Sequence, residues 1–453
     1  MATAAYWRTR GVDPTGGSVK LRRALSRRDL LAYGINQVIG GGIFIMPAAI
    51  AAQIGNWSPL AFIAAGFASL LSALCFAEVG SRFAGTGGSY LYVHAAFGRL
   101  AAFEIGWIQW FVRVSSQASI AVGITMGLGF FWPLMKSGFP RAAFITVFTL
   151  LLGYITARGI RQSAWLINAF TVAKLLPLFF LITVGIWFID WHRLTPLPAI
   201  SMDQAATAAL LLAFTFGGFD TISVPAGESQ NPRHDLPFAF IGTIAAVTVI
   251  FTMLQIVAMT VLPDISRSPA PLSEAAGTLS GPFGAALIGA GAVFSMMGNN
   301  AGGVLAGSRL LFALAENGQL PAILARIHAV YRTPSNAVWF TTAVALGLAL
   351  SGSFTLLAAA SAVARLITYA GVAAATLKLR QSRFAEIVPP PTFVVPLGAT
   401  IPIASFVLSL GVIGGATRNQ LLVGTAALVL GTILFLLNDR ARGGNPVAGT
   451  SVP

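Results

Sequence analysis

About twelve apolar segments of bilayer-spanning length run through this chain, and two of them are broken by glycine clusters at matching places. The first break reads Ile39-Gly40-Gly41-Gly42-Ile43-Phe44-Ile45-Met46-Pro47. The second reads Phe214-Thr215-Phe216-Gly217-Gly218-Phe219-Asp220-Thr221-Ile222-Ser223-Val224-Pro225. In each, adjacent glycines are followed by a phenylalanine and then by a proline. In lipid, the N–H and C=O groups freed by such a break find no water, so breaks are tolerated only where the unwound backbone lines a cavity. Paired breaks, one in each half of a chain, point to a midplane site in a secondary transporter.

The segments run approximately 30–53, 58–81, 98–131, 140–157, 163–189, 204–226, 236–262, 282–313, 336–352, 355–378, 393–413 and 419–437. The third and eighth are long enough to tilt strongly or to extend beyond the bilayer. We therefore expect an all-α integral membrane protein with about twelve transmembrane helices. The expected domains are an N-terminal arm over 1–28, a transmembrane domain over 29–439 and a tail over 440–453. Composition agrees: 56% of the residues are hydrophobic and only 9% charged, against about a quarter charged in soluble domains.

A net charge of +14 does not point to nucleic acid, because the basic residues lie between apolar segments rather than in a stripe. Placing both termini in the cytoplasm puts twenty of the 28 Lys and Arg residues on that side and five outside. Three remain inside spans: Arg113, Lys174 and Arg365. The lone cysteine, Cys75, excludes an intrachain disulfide and a cysteine metal site. No cleavable signal is read at the N-terminus. No metal or cofactor is expected.

The ordered motifs resemble those of the amino acid–polyamine–organocation permease family. They begin with Ile39-Gly40-Gly41-Gly42-Ile43-Phe44, then Phe76-Ala77-Glu78-Val79-Gly80-Ser81-Arg82-Phe83 and Gly87-Gly88-Ser89-Tyr90-Leu91-Tyr92 with Ala96-Phe97-Gly98. They continue with Gly218-Phe219-Asp220, Glu228-Ser229-Gln230-Asn231-Pro232-Arg233 and Asp235-Leu236-Pro237. Ser308-Arg309-Leu310-Leu311-Phe312-Ala313-Leu314-Ala315, Gly318-Gln319-Leu320-Pro321 and Thr333-Pro334 complete the set. The resemblance covers nearly the whole chain. It implies a LeuT-type fold with two inverted repeats of five spans, about 30–190 and about 204–380, in which spans 1 and 6 are broken. Two extra helices, about 393–437, would follow.

The first break, Gly40, Gly41 and Gly42, would present free N–H groups at the positive end of a half-helix to a substrate carboxylate. Close helix packing is the alternative use of these small residues. The resemblance places the carbonyls of Phe214, Thr215 and Gly217 opposite the substrate ammonium and makes Phe216 and Phe219 candidate gates. It also implies a proton-coupling role for Lys174, deep in span 5, with the protonated amine bridging spans 1 and 8 beside Asn299 and Asn300. A static pair with Asp220, the only obvious deep acid, is the competing reading.

Arg113 and Arg365 depart from the commoner family pattern, and a buried arginine needs a partner or water. Either Arg113 reaches the pocket and favours acidic substrates, or Arg113 or Arg365 pairs with Asp220 as a gate or structural lock. The second is favoured. Both arginines argue against cationic amino acids.

The leading expectation is an amino acid importer of the cell (inner) membrane, coupled to protons and working by alternating access. Its partners are a small amino acid, the proton and the lipid bilayer. An exchanger of the same fold is the alternative. An enzyme is disfavoured, because no metalloprotease pair, nucleophile elbow or phosphate loop is found. A sensor that binds without transporting is disfavoured for lack of a soluble output region.

Overall fold

The computed structural model describes residues 20–351 and 354–441. The arm through residue 19 and the tail from residue 442 lie outside the described residues. The regular structure among the described residues is helical, apart from one isolated parallel bridge between Leu25 and Ser229. The helices in chain order are α1 (Arg27–Val38), α2 (Met46–Ile54), α3 (Ser58–Gly80), α4 (Ser89–Phe97), α5 (Arg99–Phe131), α6 (Gly138–Arg158) and α7 (Ile160–Gly185). Next come α8 (Met202–Thr215), α9 (Pro232–Val261), α10 (Pro271–Glu316), α11 (Ser335–Ser351), α12 (Phe354–Leu379), α13 (Thr400–Gly414) and α14 (Arg418–Ala441).

Eight helical runs among the described residues are long and apolar enough to cross a membrane. The helices Ser335–Ser351 and Thr400–Gly414 are shorter and also apolar. The chain is a multi-pass membrane protein. The long third and eighth segments correspond to α5, of 33 residues, and α10, of 46. The latter bends where Ser280 and Gly281 leave helical geometry, just before Pro282.

Local chemistry starts the two helices that lead into the breaks. Ser26 caps α1, accepting from the Asp29 N–H, while the Asp29 carboxylate accepts from the Ser26 N–H at 2.8 Å. Ser201 and Gln204 form the same reciprocal cap on α8. Both helices then stop short. The first gives way at Ile39 to a 3-10 turn over Gly42–Phe44 before α2 resumes. The second stops at Thr215 and continues as a 3-10 turn over Phe219–Ser223.

The breaks lie against each other. Gly218 has φ +122°, and a Cβ there would collide with the Gln37 carbonyl oxygen. Any larger residue at 218 would be strained in backbone and in space. Small residues on α10 let α1 and α7 approach it: a Cβ at Gly298 would sit 2.6 Å from both Asn36 Oδ1 and Phe170 Cβ. The core is thus built around the two interruptions, with α10 packed against α5, α7 and α1.

Two carboxylate–guanidinium pairs, one fully buried and one with a partly exposed arginine, tie the bundle near span ends. Arg309 of α10 clasps Glu228 with Nε–Oε2 at 2.8 Å and Nη2–Oε1 at 2.9 Å, and neither side chain is solvent-exposed. The Glu228 carbonyl oxygen also accepts the N–H groups of Ala24 and Leu25. Arg380, just past α12, clasps Glu78 of α3, whose carboxylate also accepts the Val395 N–H at 2.8 Å.

Candidate substrate site

A helix that stops inside a bilayer leaves its last carbonyls without partners. At the end of α1, each carbonyl from Ile35 to Gly40 finds a donor. Ile35 and Val38 oxygens accept from the N–H groups of Ile39 and Gly40. Lys174 Nζ of α7 donates to the Asn36 oxygen at 3.0 Å and the Ile39 oxygen at 2.6 Å. The Asn299 amide donates to the Gln37 oxygen at 2.9 Å and more distantly to the Asn36 oxygen. The Ser295 hydroxyl donates to the oxygens of Ile39 and Gly40.

Lys174 also reaches the Ser295 carbonyl oxygen at 3.3 Å. Its amine is fully buried and joins α1, α7 and α10 at one point. An ammonium suits this place, because it has three donors, the carbonyls converge there, and a helix C-terminus carries partial negative charge. Asp220 is not its partner.

The opposite polarity appears just beyond. Among the described residues, no backbone acceptor meets the N–H groups of Gly41, Gly42 or Ile43. They border a cavity of about 240 Å³. Its wall is completed by Ser116 and Ser119 of α5, by Met296 and Asn299 of α10, by Phe214, Thr215 and Gly217 at the second break, and by Arg365 of α12. On that second side, the carbonyls of Thr215 and Gly217 receive no backbone hydrogen bond among the described residues, while that of Phe214 accepts the Gly217 N–H at 3.1 Å. The cavity therefore offers unpaired N–H groups from one break and unpaired carbonyls from the other. That arrangement matches a zwitterion with a carboxylate at one end and an ammonium at the other.

The remaining candidates fall into three places. Asp220 accepts hydrogen bonds from Gln109 at 3.3 Å and Tyr369 at 3.2 Å, and its carboxylate lies 3.9 Å from the Arg113 guanidinium. Arg113 is the arginine that meets Asp220, and both are buried. Arg365 instead faces the cavity over the Phe214 ring, 5.7 Å from its centroid. Asn300 points away from Lys174 and donates to the Gln117 carbonyl oxygen at 3.0 Å.

Of the two phenylalanines, Phe216 packs on Phe62 and Phe251 and borders a separate, apolar cavity of about 560 Å³ between α3, α8 and α13. Phe219 is buried among Phe76, Phe240 and Tyr369. Neither borders the polar cavity in this conformation.

Ser295, Ser116, Ser119, Gln109 and Tyr369 were not singled out from the sequence. Ser295 was findable, because it precedes Asn299 by four residues and so shares its helix face. Gln109 and Tyr369 carry the same signal, lying four residues from Arg113 and Arg365, and Ser116 lies three from Arg113.

The family model described as "Amino acid permease" matches residues 25–435. The methylthioribose transporter of Bacillus subtilis is 28% identical over 93% of this chain and 95% of its own length. The branched-chain amino acid permease of the same species is 28% identical, over 73% of this chain and 75% of its own. Its serine/threonine exchanger is 29% identical, over 72% and 76% respectively.

Proposed function

We propose, from the premise that this chain belongs to the amino acid permease family, that it is a secondary transporter of amino acids rather than an enzyme. The observation that carries the reading is the pair of facing breaks, with free N–H groups on one side of the cavity and free carbonyls on the other. Relatives named as an amino acid permease and an amino acid exchanger support it. One relative is named instead for methylthioribose, a sugar without the α-ammonium and α-carboxylate of an amino acid.

The proposed topology is twelve crossings of the cell membrane with both termini in the cytoplasm. The domain runs over 29–439, and spans 1–5 and 6–10 form inverted LeuT-type repeats. The interruptions after α1 and after α8, which fall in the first and sixth expected spans, support that topology. Transport is by alternating access, coupled to a proton at Lys174. In this account the protonated amine holds the carbonyls of α1 and α10 together, and loss of the proton releases them. Phe216 and Phe219, carried on the segment of the second break, are assigned the gate. Asn300 keeps an accessory place through α5, and Arg113 with Asp220 forms a structural lock beside the site.

The test is uptake of a panel of labelled amino acids into proteoliposomes, with analogues lacking either head group as competitors. A ligand that loses its α-carboxylate or its α-ammonium is expected to compete about 10- to 100-fold less well, the worth of hydrogen bonds to a charged group. Equal competition by amines or 2-oxo acids would sink the assignment of the head group to the two breaks.

A further inference from the structure

Arg365 is a cavity-facing charge with no ion pair or hydrogen bond among the described residues. Its guanidinium faces the polar cavity beside Phe214. Its buried Nε has no hydrogen-bond partner among the described residues. Asp220, the nearest deep carboxylate, is already engaged by Arg113, Gln109 and Tyr369. The described residues that line the cavity include no Asp or Glu. A guanidinium does not shed its charge, and a bare charge at membrane depth is costly.

Room for it is built in. A Cβ at Gly217 would collide with Arg365 Nη1, so the absence of a side chain there lets the guanidinium lie against the break. Lys174 does not compete for the same anion, because its amine is directed at the oxygens of Asn36, Ile39 and Ser295. The cavity therefore holds two separate anion receptors, the amides of Gly41, Gly42 and Ile43 and the guanidinium of Arg365. A neutral amino acid has one carboxylate and can satisfy only one of them.

We propose that the site selects amino acids with an anionic side chain, the α-carboxylate lying on the glycine amides and the side-chain carboxylate on Arg365. This rests on the amino acid reading above and adds the substrate class. A planar fork of donors is well suited to a carboxylate. A cationic side chain would meet Arg365 with no acid to receive it.

The experiment compares uptake of L-glutamate, L-aspartate, their amides, L-leucine and L-lysine in proteoliposomes of wild type, Arg365→Gln and Arg365→Lys. Thermal stabilisation of each detergent-purified protein by L-glutamate and by L-glutamine gives the same comparison without transport. The expected result is a preference of about tenfold or more for an acid over its amide in wild type. That preference is lost or reversed in Arg365→Gln and partly kept in Arg365→Lys. Uptake or stabilisation by amides equal to that by acids, unchanged in Arg365→Gln, would overturn the proposal and leave amino acid transport standing. No response to any amino acid would overturn both readings.

Discussion

Replacing Arg309 with leucine is expected to destabilise the protein by about 3–5 kcal/mol, because it strands the Glu228 carboxylate in a site that excludes water. The pair is bidentate, and both side chains are fully buried. Its loss reaches beyond α10, since the Glu228 backbone also holds the strand-like segment at Ala24 and Leu25 through two N–H bonds. Replacing both partners, Glu228→Leu with Arg309→Leu, removes the unpaired charge and should recover much of the loss. Equilibrium unfolding in mixed micelles measures both. A cost below about 1 kcal/mol for Arg309→Leu would show that water reaches the carboxylate, as at an exposed pair.

The second large effect concerns coupling. A pH difference of one unit carries about 1.4 kcal/mol per proton, enough for roughly tenfold accumulation of a substrate that moves with one proton. Wild type should show that stimulation by an inward proton gradient, and Lys174→Ala should lose it while retaining downhill uptake. The reason lies in the geometry: removing the amine takes away the donor shared by α1 and α10 at the carbonyls of Asn36, Ile39 and Ser295. Ser295 and Asn299 keep partial hold of the same helix end, so the fold is expected to survive. Uptake that ignores the gradient but requires internal substrate, equally in both proteins, would make the molecule an exchanger and Lys174 a structural residue.

Part of this candidate site is legible in the sequence. Glycine runs inside apolar segments are costly in lipid, so the runs at Gly40–Gly42 and Gly217–Gly218 point to a cavity, and Gly40, Gly41, Gly42 and Gly217 border one. Lys174 stood out because a charge ten residues or so from either span end cannot reach the interface. Which arginine met Asp220 was not legible. Arg113 and Arg365 both sit mid-span, and the choice depends on how α5 and α12 are rotated against the second break, which no local pattern records. The aromatic neighbours of Phe216 and Phe219 were hidden for the same reason, since phenylalanines throughout the spans are equally apolar. Ser116 and Ser119 line the cavity, yet small polar residues are also common at ordinary helix contacts.

The central claim is that one amino acid lies between the two helix breaks. A density map of the protein in lipid nanodiscs with its transported amino acid bound tests it most directly. The account predicts the α-carboxylate within about 3 Å of the amide nitrogens of Gly41 and Gly42 and the ammonium at a similar distance from the Thr215 or Gly217 carbonyl oxygen. Ligand density in the apolar cavity beneath Phe216, with the breaks empty, would contradict it.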